Sequence, residues 1–149
     1  MQFFLEKASR LRCNWNKQAL TEEDFYRLCR RRKITVKEMP LRTSGFYYCV
    51  LGKHYIAVDS TLERYEKLFV MFHEFAHYLM HAPDAGVTAN FHGVGQKTRK
   101  ETEADAFALC ALIPKCWIET RTVHDIAENE GVPEQMLLYR LALYEMHGK

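Results

Sequence analysis

No pair among the five cysteines (Cys13, Cys29, Cys49, Cys110, Cys116) stands in a CxxC spacing. An odd count without a secretory leader argues against a disulfide framework and for a reducing, cytoplasmic setting. Long apolar runs are missing too. Phe3-Phe4-Leu5 is too short for a signal-peptide core, and no stretch nears the roughly 18 to 20 apolar residues of a membrane span. Neither sign of charge dominates: 21 basic residues face 19 acidic ones, for a formal net charge of +2. That balance excludes a disordered composition and gives no polyanion-binding surface, so neither nucleic acid nor membrane is an expected partner. The one basic run, Arg30-Arg31-Arg32-Lys33, reads as a solvated helix end, where cations suit the helix dipole. No repeat, low-complexity tract or linker divides the 149 residues. The length suits a single domain able to bury about two-thirds of its unfolded surface.

What is present is His73-Glu74-Phe75-Ala76-His77, inside the apolar run 68–80. On a helix the two histidines lie about 40° apart in projection and roughly 6 Å apart along the axis, so both rings can reach one metal ion. Glu74 lies beside that face, where a carboxylate can take a proton from a water acidified by the metal and pass it to a leaving amine. With seven His and fourteen Glu in the chain, HExxH is expected by chance on the order of 0.03 times. The bland alternative makes His73 and His77 core histidines and strands Glu74 in an apolar stretch, a costly place for a carboxylate.

The rest of the chain supplies an α+β frame. Its parts are an N-terminal helical section (1–33), a small antiparallel sheet (34–59), helices around the metal site (60–114) and C-terminal helices (115–149). Residues 1–20 are weakly patterned, with Phe3, Phe4, Leu5 and Leu11 as candidate packing residues. Thr21 with Asp24 resembles a capped helix start, followed by Phe25, Leu28 and Cys29 at helical spacing and an end near Lys33. Ile34–Met39 reads as a strand stopped by Pro40. Phe46–Leu51 and His54–Asp59 read as a hairpin about Gly52-Lys53. If its outer strand borders the metal cleft, that strand's backbone could hold a substrate polypeptide. Asp59 or Ser60 is placed to cap a helix from about Thr61 to His81. Residues 82–97, with Pro83, Gly86, Gly93 and Gly95, read as a loop or flap.

A catalytic zinc takes three protein ligands and keeps one open position, so a further donor is required. In Glu101-Thr102-Glu103-Ala104-Asp105, Glu101 and Asp105 share a helix face: the first can bind metal while the second orients a ligand imidazole. Ala104 and Ala108 would let this helix approach the HExxH helix closely. Glu103 projects about 160° from Glu101 and reads as a surface carboxylate, though it is an alternative ligand. His81 repeats the four-residue step but sits about 12 Å along the axis from His73, which suits a helix-end role better than ligation. His92 reads as an exposed loop histidine. Tyr48, His54, Tyr55, His92 and His124 are of the right type to steady an oxyanion, and none is singled out.

These blocks resemble a known family. His73–His77, then Glu101-x-x-Ala104-Asp105-x-Phe107-Ala108, then Leu112-Ile113-Pro114 are similar to the HExxH, ExxAN/D-x-FA and LLMP blocks of the ImmA/IrrE family of bacterial metallopeptidases. The tail is similar to that family's closing pair of helices: Val123-His124-Asp125-Ile126-Ala127, Gly131-Val132-Pro133, Tyr139-Arg140-Leu141. The resemblance spans roughly 34–143. It implies a zincin-like core, zinc ligands His73, His77 and Glu101, Glu74 as general base, and site-specific cleavage of a helix-turn-helix repressor. It also singles out Tyr139 and Arg140, for which helix packing or a surface ion pair is the ordinary use. Two other functions fit the same residues: a metal-binding regulator acting by contact alone, and a zinc peptidase of other protein substrates. Glu74 weighs against the first, because a structural site has no use for a general base.

Overall fold

A computed structural model of the chain describes residues 7–8, 10–81, 88–91 and 98–149. In order these form α1 (Glu22–Arg31), β1 (Ile34–Met39), β2 (Gly45–Val50), β3 (Lys53–Asp59), α2 (Arg64–His81), β4 (Thr88–Phe91), α3 (Arg99–Leu112), α4 (Lys115–Thr120), α5 (Val123–Glu130) and α6 (Glu134–His147). The fold is α+β, as expected. Phe3, Phe4, Leu5, His92 and most of 82–97 lie outside the described residues, as does the side chain of His81.

The first helix starts where its cap predicts. The Thr21 hydroxyl accepts from the Asp24 N–H, and the Asp24 carboxylate accepts from the Thr21 N–H at 2.8 Å. Two donors that helix geometry orphans are thus satisfied. Phe25, Leu28 and Cys29 are buried.

The four strands lie in the order β1-β3-β2-β4. Both β3 and β4 run antiparallel to β2, as expected for this sheet, but β1 runs parallel to β3, with Ile34 opposite His54. The sheet is therefore mixed. After Pro40 the chain crosses the end of β3 and enters β2 on its far side, and Asp59 fastens that crossing. Its carboxylate accepts from the Leu41 N–H (3.3 Å) and the Thr61 N–H (3.1 Å), while its own N–H donates to the Ser44 carbonyl (2.9 Å). Spent on the crossover, Asp59 does not cap a helix at Thr61, and α2 begins at Arg64. The hairpin β2–β3 therefore has no free outer edge. Among the described residues the margins of the sheet are β1 and β4, and β4 lies inside the stretch expected to be a loop.

The β2–β3 turn is Leu51-Gly52, one residue earlier than the glycine suggests, with φ of 50° and 74°. Two positive φ values suit a tight hairpin's twist but disfavour leucine, whose Cβ crowds the carbonyl in that region. Leu51 is 95% exposed and packs on little. Leu51→Asn is expected to stabilise the fold by about 1 kcal/mol, read as a higher midpoint in urea with an unchanged slope.

The core lies between the sheet and the helices. Phe72 of α2 meets Phe25 of α1 edge-on at 5.7 Å between centroids, and Phe75 faces Phe107 of α3 at 6.2 Å. Gly45 brings the sheet onto α2: a Cβ there would lie 2.6 Å from both the Ala57 carbonyl oxygen and Val70 Cγ1. Against α2 packs α3, with Ala76, Ala104 and Ala108 all fully buried. These small side chains allow the close approach that brings residues of two helices into one site. Among the described residues no helix is long and apolar enough to cross a membrane.

Candidate metal centre

One helix supplies two imidazoles and its neighbour supplies the carboxylates. His73 and His77 are one turn apart on α2, and their Nε2 atoms are 3.0 Å apart. From α3, Glu101 reaches both: Oε2 is 3.1 Å from His73 Nε2 and Oε1 is 2.8 Å from His77 Nε2. Its position in the first turn follows from Thr98, whose hydroxyl accepts from the Glu101 N–H at the start of α3. Among the described residues, His73, His77 and Glu101 form a candidate metal-binding group.

The donor set fits a small divalent ion. Tetrahedral zinc with bonds of about 2.0–2.1 Å sets its ligand atoms roughly 3.3 Å apart. The separations of 2.8–3.1 Å here match that edge to within a few tenths of an ångström. Asp105, one turn beyond Glu101, lies 2.7 Å from His73 Nδ1. It holds that ring with Nε2 turned into the group, the usual task of a carboxylate behind a ligand histidine.

Glu74 is fully buried, beside the donor group and under the sheet, where the Tyr47 backbone of β2 favours its charged form against the effect of burial. Burial raises its carboxyl well above the ordinary range. His73 pulls the other way, while the charges of Glu101 and Asp105 reinforce the rise. A carboxylate that is costly to ionise is a better proton acceptor, and such placement beside a metal group marks functional sites.

His73 is subject to opposed effects. Burial disfavours its charged form, but the carboxylates of Asp105 and Glu101 outweigh it, and its pKa is pushed up to about 9. In the unfolded chain it would titrate near 6.5. The extra proton affinity therefore stabilises the fold fully below about pH 6.5, and this contribution is lost as pH rises through about 9. Chelator-treated protein is expected to melt at progressively lower temperature from pH 6.5 to 9, measured by calorimetry. A midpoint that rises across that window would contradict the assignment.

Other residues named from the sequence are distributed as follows. Glu103 lies outside the group, yet it is not the surface carboxylate expected: it is buried, with Arg99 Nε donating to it at 2.9 Å. Tyr48 stacks on Tyr55 at 4.8 Å, and His124, highly exposed, pairs with Glu128. His54 Nδ1 is 2.8 Å from the Tyr47 hydroxyl and its ring abuts Tyr78. None of these contacts involves the His73, His77 and Glu101 group, and the oxyanion donor stays unassigned. The sequence reading missed the effect of the Tyr47 backbone on Glu74, which depends on β2 crossing above α2 and leaves no trace in residue types.

A helix-borne HExxH pair closed by a glutamate from the next long helix, on an α+β domain, is the arrangement of metallopeptidases. Comparison with known proteins gives the family: residues 29–142 match the IrrE N-terminal-like domain of the M78 peptidases, and the chain belongs to this ImmA/IrrE family. It is also similar to a protein of Bacillus phage phi105 described as "Uncharacterized immunity region protein 2". The two are 31% identical over 103 residues, covering 62% of this chain and 61% of the phage protein. The chain thus matches about three-fifths of that relative's length.

Proposed function

We propose that this protein is a zinc-dependent endopeptidase that cleaves a helix-turn-helix transcriptional repressor and so relieves repression. The observation that carries the peptidase reading is the buried Glu74 beside the converging His73, His77 and Glu101 donors. Those three residues would hold the ion, leaving a position open toward substrate. Bound there, zinc supplies Lewis acidity toward a peptide carbonyl and toward water. Glu74 takes the proton of the attacking water and delivers it to the leaving amine. Asp105 keeps His73 oriented throughout.

The substrate chain has a place to lie. Among the described residues β4 pairs with β2 alone, with Asn90 opposite Tyr47. An extended substrate segment would add to the outer edge of β4 as a further strand. The choice of a repressor rests on the family resemblance and on the similarity to an immunity region protein of a phage.

The test is to incubate the zinc-loaded protein with a helix-turn-helix repressor encoded beside it and follow cleavage by mass spectrometry. Site-specific cleavage that a chelator stops and zinc restores is the expected result. Cleavage that a chelator leaves untouched would overturn the metal mechanism. Failure to cut the repressor while cutting other polypeptides would overturn the substrate.

A further inference from the structure

Away from the metal group, the start of α1, the first turn of α2, the end of α3, and α4 and α5 enclose a cleft of about 440 Å³. That volume lies in the range of sites that take an organic ligand or a partner's side chains. The buried Leu20, Leu68 and Leu112 line it, together with the half-buried rings of Tyr65 and Trp117. Both rings are held in place: the Tyr65 hydroxyl donates to the Glu130 carbonyl at 3.0 Å, and the Arg121 guanidinium lies 4.9 Å from the centre of the Trp117 ring. Little ordering is left to pay for on binding. The rim is acidic beyond what its cations neutralise. Glu22 and Glu23 reach it from α1 and Glu130 from α5, and among the described residues Arg64 is the one cation of the lining. Each of these carboxylates has a basic partner, but each partner is shared with a second carboxylate. Lys67 serves Glu22 at 3.6 Å and Glu38 at 2.8 Å. Arg27 serves Glu23 and Asp24, both at 3.2 Å. Arg121 serves Glu130 at 3.0 Å and Asp125 at 2.6 Å. Six carboxylates thus share three cations, and Arg64, over the Tyr65 ring at 5.3 Å, offsets only part of the excess.

We propose that this cleft docks a basic polypeptide segment, with a bulky apolar side chain seated against Tyr65 and Trp117 and flanking lysine or arginine side chains on Glu22, Glu23 and Glu130. Aromatic residues in enclosed pockets are where binding energy concentrates at protein contacts, and a rim of one charge sign selects the partner and speeds encounter. The placement of the carboxylates decides against smaller ligands. Among the described residues only His73, His77 and Glu101 bring three ligand atoms within 4.8 Å of one another, so the rim offers no metal cluster. A small amine would meet one carboxylate that already has a partner, whereas a chain with several cations reaches carboxylates on both α1 and α5. Nucleic acid and anionic bilayers are repelled by the same charge. The cleft and the metal group share two helices. Leu68 precedes His73 by five residues, roughly 8 Å along α2, and Leu112 follows Glu101 by eleven, roughly 16 Å along α3. One substrate chain could occupy both with about five extended residues between them. A repressor that binds DNA presents basic side chains, so the cleft would be a second hold on that substrate, away from the bond that is cut. This use rests on the substrate reading; the docking of a basic segment does not.

The probe is a fluorescein-labelled peptide of about twelve residues, built from lysine, arginine and leucine, titrated against the full chain at low salt. Anisotropy should show saturable binding, accompanied by a shift in tryptophan emission. In Trp117→Phe the emission shift should vanish while the anisotropy change remains, which places the peptide in the cleft. Glu22→Gln with Glu23→Gln should weaken binding about tenfold. Glu134→Gln with Glu145→Gln, the same loss of charge on α6, should leave it nearly unchanged. A peptide with glycine in place of leucine should bind at least about tenfold more weakly. With the repressor as substrate, the Glu22→Gln and Glu23→Gln double should raise KM about tenfold and leave kcat unchanged. Absence of saturable peptide binding would overturn the docking proposal whether or not the repressor is cut. Peptide binding without cleavage, or cleavage with an unchanged KM in the double, would uphold the docking and overturn only its use for substrate. Equal effects of the two charge-matched doubles would overturn the docking itself. So would equal binding of the glycine peptide, an emission shift that persists in Trp117→Phe, or tighter binding of arginine amide or duplex DNA than of the peptide.

Discussion

Glu74→Gln is expected to bind zinc as wild type does and to cleave its substrate about 10²–10⁴-fold more slowly. The amide keeps the shape of the side chain, so the packing of α2 against β2 is retained. It cannot take a proton from water. Zinc content should hold because Glu74 stands beside the donor group and is not part of it. The fold should become more stable, since a neutral amide replaces a fully buried carboxyl whose ionisation is opposed by burial and by Glu101 and Asp105. A gain in stability with loss of activity is the pattern of a residue kept for chemistry. Zinc by elemental analysis, melting temperature and cleavage rate on the same preparation check all three. Undiminished cleavage would remove Glu74 from the mechanism, and zinc lost in step with activity would make it a ligand.

Most of the candidate site could be read along the chain because helices place residues by arithmetic. The four-residue step between His73 and His77, and again between Glu101 and Asp105, specifies which side chains share a face before any tertiary contact is known. The cap of α1 and the first strand were equally local, and both begin where their residues predict. What stayed hidden depends on distant partners. Asp59 has the composition of a helix cap and is used to fasten the crossover that makes the sheet mixed. The strand β4 lies in a stretch containing Pro83, Gly86, Gly93 and Gly95, and it exists because β2 offers it an edge. Glu103 points away from the metal group as helix geometry requires, but geometry along one helix does not say whether that direction is solvent or neighbour. Leu51 misplaced the turn by one residue, because its sequence preference runs against the positive φ that it adopts.

Arg140→Met is expected to destabilise the fold by about 3–5 kcal/mol, lowering the melting temperature by roughly 10–15 °C. Read from sequence as a surface or packing residue, Arg140 is the largest fully buried side chain in the described structure. Its partners are oxygens from three separate parts of the chain. Nε donates to the Ile113 carbonyl at 2.7 Å, and Nη2 donates to Asn16 Oδ1 at 3.1 Å and to the Lys149 carbonyl at 2.6 Å. Burial lowers the pKa of this guanidinium, yet arginine stays charged at neutral pH, so the cost of burying it is offset through those acceptors. Methionine fills comparable space but donates nothing, leaving the Ile113 and Lys149 carbonyls without this donor. Lysine cannot reproduce the planar fork, so Arg140→Lys should recover only part of the loss. Asn16 also accepts from the Lys115 N–H at 3.0 Å, so the node joins the N-terminal segment to the α3–α4 corner. Because α3 carries Glu101 and Asp105, zinc affinity should fall along with stability. Urea unfolding with and without zinc measures both, and a loss below about 1 kcal/mol would show that these hydrogen bonds are dispensable.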